Sequence, residues 1–101
     1  MNGIVRSAAG LLVMLATAAT AVANELDAAR NLAATCSACH GTNGRSAGIN
    51  ASLAGMPKEQ LVQTLGAFKR GEKPATVMHQ LARGYSDVQI EAIASYLAAQ
   101  R

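Results

Sequence analysis

Two cysteines and a histidine fall within five residues, Cys36-Ser37-Ala38-Cys39-His40, and the chain has no other cysteine among its 101 residues. Side chains three and four apart share one face of a helical turn, so this spacing presents two thiols and an imidazole to a single planar object. C-x-x-C-H is the attachment signature of a c-type haem: the thiols bond the two vinyl groups and the imidazole lies under the ring, placed to bind the iron. A bare C-x-x-C also occurs in dithiol redox motifs, in half of many zinc sites and as a simple disulfide. A thioredoxin-like site needs a βαβ context, and the segment around Cys36 is alanine-rich with no strand-like run. A zinc site needs a second ligand pair, and the other histidine, His79, stands alone far downstream. A disulfide leaves His40 without a role. The ranking favours haem, on condition that the chain is exported.

The first residues predict export. Arg6 is the only charge before Glu25, and an apolar stretch over residues 11–22 leads into Ala21-Val22-Ala23, an A-x-A cleavage pattern. Residues 1–23 therefore read as a secretory signal peptide cleaved after Ala23, and residues 24–101 as one domain in the periplasm. The rival is an uncleaved anchor. The apolar run is shorter than the roughly 20 residues a spanning helix needs and is diluted by Thr17 and Thr20, so the mature chain is expected not to span a membrane.

Cleavage leaves 78 residues and lowers the net charge from +3 to +2, which two ionised haem propionates bring near neutrality. That excludes the charge of a nucleic-acid binder. With no Trp, one Phe and two Tyr, so short a chain buries little apolar surface of its own and needs a staple. Haem is the expected staple, and the haem-free chain is expected to fold poorly.

The remaining pattern predicts helices only. Residues 25–38 lack Gly and Pro and are dominated by strong helix formers, placing the cysteines at a helix's C-terminal end. Pro57 reads as the first residue of a second helix that carries Leu61, Val62, Leu65 and Phe68 and closes at Gly71, with Gly66 weakening it or allowing close approach. A short turn between Pro74 and Gly84 bears Val77, Met78 and Leu81. Ser86 and Gln89 form a capping box before a stripe of Ile90, Ile93, Ala94 and Leu97. Ala28, Ala29 and Ala33 suit a close crossing of the first and last helices, with Tyr96 beside them.

The candidates for the iron's sixth position are Met56, Met78 and His79. Met56 follows His40 by only 16 residues and reads as a surface or packing contact. Met78 follows by 38 residues, with a helix between, enough chain to pass the ring edge and return on the other side. His79 points about 100° away from Met78 on a helix, so only one of them faces the iron. A lone histidine is more often solvated, and Met78 is favoured. A thioether stabilises ferrous iron, and filling both axial positions leaves no open site, which predicts an electron carrier without catalysis of its own.

The C-x-x-C-H motif with Gly41-Thr42-Asn43-Gly44-Arg45-Ser46, the Leu53-Ala54-Gly55 step, Ala67-Phe68-Lys69-Arg70-Gly71-Glu72, Met78, Gly84-Tyr85-Ser86-Asp87 and Tyr96-Leu97 resemble a class I monohaem cytochrome c. The run over residues 68–96 is especially similar to the cytochrome subunit of flavocytochrome c sulfide dehydrogenase. The resemblance implies an all-α fold wrapped around one haem c, covalent bonds at Cys36 and Cys39, His40 and Met78 as axial ligands, and a flavoprotein subunit as redox partner. A free shuttle between respiratory or photosynthetic complexes is the alternative, and a haem-based ligand sensor with a displaceable sixth ligand is a third class. Relatives usually have a proline two residues before the Leu-Ala-Gly step, in a loop whose backbone carbonyl often holds the proximal imidazole, and here that position is Ala51. Some such subunits are dihaem, whereas this chain has one motif.

Gly41, Gly44 and Gly48 follow no strand and so form no nucleotide-binding loop; they read as a flexible turn letting backbone pass the haem edge. Lys69, Arg70, Lys73 and Arg83 read first as solvated charge, and otherwise as a docking face or propionate partners.

Overall fold

Helix α1 covers Asn2–Ala34, α2 Ser37–His40, α3 Lys58–Lys69, α4 Met78–Ala82 and α5 Asp87–Ala98, with a 3-10 turn at Thr42–Gly44. The computed structural model describes the backbone of residues 2–101 and the side chains of residues 17–101, and no strand occurs among them. Arg6, Met14 and part of the apolar stretch of the predicted signal thus lie outside the described side chains, and Met1 lies outside the described residues altogether. The helical prediction holds throughout.

Helix α5 is the hub, packing against both α1 and α3, while α4 packs on α3. Its start follows from chemistry the sequence displays. Ser86 Oγ accepts from Gln89 N–H at 3.1 Å and Gln89 Oε1 accepts from Ser86 N–H at 2.9 Å, closing the capping box. Its apolar stripe is almost fully removed from water, with Ile90, Ile93, Ala94 and Leu97 at 3, 2, 0 and 1% exposure. Burying an Ile or Leu side chain this completely is worth about 1.5–3 kcal/mol. Ala33 and Leu61 complete the core, and Leu53, Met56, Val62, Leu65, Tyr85 and Tyr96 pack around it.

Three boundaries differ from expectation. The first helix ends at Ala34, four residues early, because the Thr35 hydroxyl turns back to donate to the Leu32 carbonyl at 2.9 Å and Cys36 N–H bonds Ala33 O in a tight turn. Pro57 is the N-cap of α3 rather than its first residue: its ψ of 133° is extended, and its carbonyl accepts the first helical bond from Leu61 N–H. Ala28 is exposed, so Ala29 and Ala33 alone form the buried small-residue face of α1. Residues 17–28 are exposed throughout, and α1 becomes buried only from Ala29.

Helix α3 closes as expected, with Gly71 N–H donating to Phe68 O and Glu72 N–H to Ala67 O. A Cβ at Gly66 would meet only the Arg70 guanidinium, 2.9 Å away at the end of a flexible side chain, so packing imposes no strict need for glycine there. Two ion pairs tie α3 to α5, Lys58–Glu91 at 3.0 Å and Lys69–Asp87 at 3.1 Å. Both pairs reach the surface and add little each.

Candidate functional site

The cysteines and His40 do lie on one helical turn, although that turn is separate from α1. Cys36 caps α2 in helical geometry (φ −72°, ψ −21°), and His40 N–H donates to Cys36 O at 2.9 Å. Both thiols are free; Cys36 is half-buried against the core and Cys39 is exposed. Burial pushes the Cys36 thiol up. Thr35 contacts the Tyr85 hydroxyl at 2.6 Å. Since the single Thr35 proton goes to Leu32 O, Tyr85 is the donor, and the turn is pinned to the segment before α5.

The turn after His40 depends on glycine at two positions. Gly41 (φ 83°) sits so close to the Arg45 carbonyl that a Cβ would collide with it. Gly44 (φ 77°) is buried, with a Cβ position 3.0 Å from both Ala54 N and Leu97 Cδ2. Gly48 has open space and no such requirement. The Gly44 carbonyl then accepts from both Leu53 N–H (2.7 Å) and Ala54 N–H (3.1 Å), closing the neck of a loop over residues 45–52. Gly55 N–H in turn donates to Leu97 O, and Tyr96 OH donates to Asn43 Oδ1 at 2.8 Å. The loop is thereby clamped to the C-terminal end of α5.

This closure brings Ala51 to His40. His40 Nδ1 lies 2.6 Å from the Ala51 carbonyl oxygen. A carbonyl only accepts, so Nδ1 carries the proton and Nε2 keeps its lone pair. An imidazole held in that tautomer is ready to ligate a metal through Nε2.

The distal candidates separate clearly. Met56 packs against the core, as one of its predicted roles required. Met78 is half-buried at the start of α4 and belongs to no core cluster. His79 is not simply solvated: its Nδ1 is buried without a hydrogen-bond partner. Nothing in the sequence distinguished that nitrogen, because its burial comes from the packing of α4 on α3. Of the four basic residues after α3, Lys69 is paired with Asp87, Arg70 with Glu72 at 2.9 Å, and Lys73 lies 5.5 Å over the Phe68 ring. Arg83 alone makes no such contact among the described residues.

The donor set fits a covalently held haem. Two free thiols and a tautomer-fixed imidazole share one turn, a thioether stands on a separate element, and the apolar Val77 and Leu81 beside it are 51 and 53% exposed. A zinc site fits less well, since no group of three or more His, Cys, Asp or Glu among the described residues is arranged to hold a metal ion.

Known proteins agree with this chemistry. A family model described as cytochrome c matches residues 26–100. The chain is 38% identical over 65 residues to the cytochrome subunit of sulfide dehydrogenase of Chlorobaculum tepidum, covering 64% of this chain and 59% of that protein. It is 33% identical over 92 residues to cytochrome c4 of Pseudomonas aeruginosa, covering 90% of this chain and 46% of the relative. It is 38% identical over 66 residues to the thiosulfate dehydrogenase electron acceptor of Thiomonas intermedia, covering 63% and 30%. The chain thus spans less than two thirds of the length of each of these relatives. Helices only, one C-x-x-C-H turn and the family match over three quarters of the sequence lead to one assignment: the chain belongs to the cytochrome c family, as a class I monohaem member with covalently attached haem c and an electron-transfer role.

Proposed function

We propose that Cys36 and Cys39 form the two thioether bonds, that His40 is the proximal ligand through Nε2, and that Met78 is the distal ligand. The observation that carries this reading is the 2.6 Å contact of His40 Nδ1 with the Ala51 carbonyl, which leaves Nε2 as the ligating atom on the same turn as both thiols. When bound, haem supplies a one-electron couple. The chain's residues would do the rest: Cys36 and Cys39 would fix the ring, Ala51 O accepts from His40 Nδ1–H and would so make Nε2 a more basic ligand, and the Met78 thioether would favour the ferrous state. The protein then passes electrons singly and catalyses nothing alone.

Residues 1–23 are the signal, cleaved after Ala23, and residues 24–101 act in the periplasm. Supporting this, the family match begins at residue 26 and residues 17–28 of α1 are exposed. No described helix is long and apolar enough to cross a membrane. The partner is a flavoprotein subunit of a sulfide dehydrogenase, a reading supported by the similarity to the Chlorobaculum tepidum subunit. A free carrier is the second reading, favoured by the equal identity to a relative named as an electron acceptor.

The ligand set is tested on the ferric holoprotein. Met78→Ala is expected to abolish the weak long-wavelength charge-transfer band of thioether-ligated haem, and retention of that band would exclude Met78. Flavin co-eluting with the native protein selects the subunit reading; its absence selects the free carrier.

A further inference from the structure

The Ala51 carbonyl that receives the His40 proton has no support from its own main chain, since Ala51 N–H makes no hydrogen bond among the described residues. Its two neighbours supply that support instead. Asn50 donates through Nδ2 to the Cys39 carbonyl at 3.0 Å, and Ser52 accepts through Oγ from Ser46 N–H at 2.9 Å. The Asn50 bond ties the loop back to the attachment turn and the Ser52 bond crosses to the loop's opposite limb, one on either side of Ala51. These two ties restrain the chain on both sides of the Ala51 peptide plane.

We propose that Asn50 and Ser52 are positioning residues that hold the Ala51 carbonyl on His40 Nδ1, doing with side-chain hydrogen bonds what a proline at residue 51 would do with ring rigidity. The inference rests on the reading of His40 as the proximal ligand. A carbonyl kept in line with Nδ1–H draws that proton and raises the basicity of Nε2, which favours ferric iron. When the carbonyl is loosened, water competes for the proton, Nε2 donates less, and the ferrous state gains. Asn50 has a second effect through the same bond: because it grips the carbonyl of Cys39, the residue joined directly to His40, it couples the attachment turn to the loop.

The test uses the holoprotein, equilibrated with a redox mediator at fixed poise, as wild type, Asn50→Ala, Ser52→Ala and the double variant. The ferrous-to-ferric ratio is expected to rise about threefold in each single variant and further in the double, a smaller effect than the roughly 10–100-fold loss of metal affinity or activity that follows outright removal of an outer-shell partner. In the ferrous protein the His40 Nδ1 proton, followed by NMR, is expected to exchange faster with solvent. Ser52→Thr keeps the accepting hydroxyl and should restore the wild-type ratio. A double variant with an unchanged ratio, an unchanged Nδ1 exchange rate and an intact six-coordinate spectrum overturns the proposal. A His40→Ala variant whose six-coordinate spectrum is unchanged overturns the underlying ligand reading instead, so the two failures are distinct.

Discussion

At the end of α5, Ile93, Ala94 and Leu97 are 2, 0 and 1% exposed and owe their place to apolar burial. In the loop over residues 45–52, by contrast, no residue is buried, and shape comes from individual donors and acceptors. The two regions respond to different insults. A core position is sensitive to volume, because a lost methylene leaves unfilled space. A loop position is sensitive to one atom, because a missing acceptor releases one peptide plane. The core supplies stability, and the loop supplies the carbonyl that fixes the tautomer of the imidazole it faces.

Removing haem attachment gives the largest expected effect. Cys36→Ala with Cys39→Ala should yield a chain with no covalent haem by intact-mass measurement and no cooperative thermal transition. A cooperative melt would break the comparison by showing that the helical core stands without the attached haem. Next comes Leu97→Ala, expected to cost the holoprotein about 3 kcal/mol in denaturant unfolding while leaving the ferrous-to-ferric ratio unchanged. A shift in that ratio would mean that core and loop are not separable. Ser86→Ala should cost about 1 kcal/mol by the same measurement, through the cap of α5 alone.

The smallest effect is a pH dependence. The Arg70 guanidinium, by hydrogen bond and charge, holds the Glu72 carboxyl below its ordinary 4.5. A carboxylate depressed in the folded state contributes stability above its unfolded pKa and loses it as pH falls through the folded value. Both side chains are exposed, so the contribution is small. The stability gap between wild type and Glu72→Gln should therefore narrow below pH 4.5, and a side-chain NMR titration of Glu72 should give a midpoint under 4.5.

The same contrast explains how much could be read from the residues alone. The α5 stripe and its capping box are written in spacing, and Ser86, Gln89, Ile90, Ile93, Ala94 and Leu97 each do what their positions predict. The C-x-x-C-H turn was equally legible, because its chemistry lies within five residues. The end of α1 was not: Thr35 competes for the Leu32 carbonyl, and helix propensity carries no record of that hydroxyl. Nor were the roles of Asn50 and Ser52. Their residue types mark a loop, but their partners, Cys39 and Ser46, are chosen by a closure that only the folded neck at Gly44 creates.

The contacts that pin the attachment turn have a consequence for the order of biosynthesis. Thr35 meets Tyr85 across 50 residues and Asn43 meets Tyr96 across 53, while the Gly55 amide waits for the Leu97 carbonyl. None of these ties exists until residues 85–97 have docked on the turn. Until then none of these contacts holds Cys36 and Cys39 in the folded turn, so thioether formation at them is expected to be easier before α5 docks than after. Docking of Tyr85 and of α5 is what ends that window.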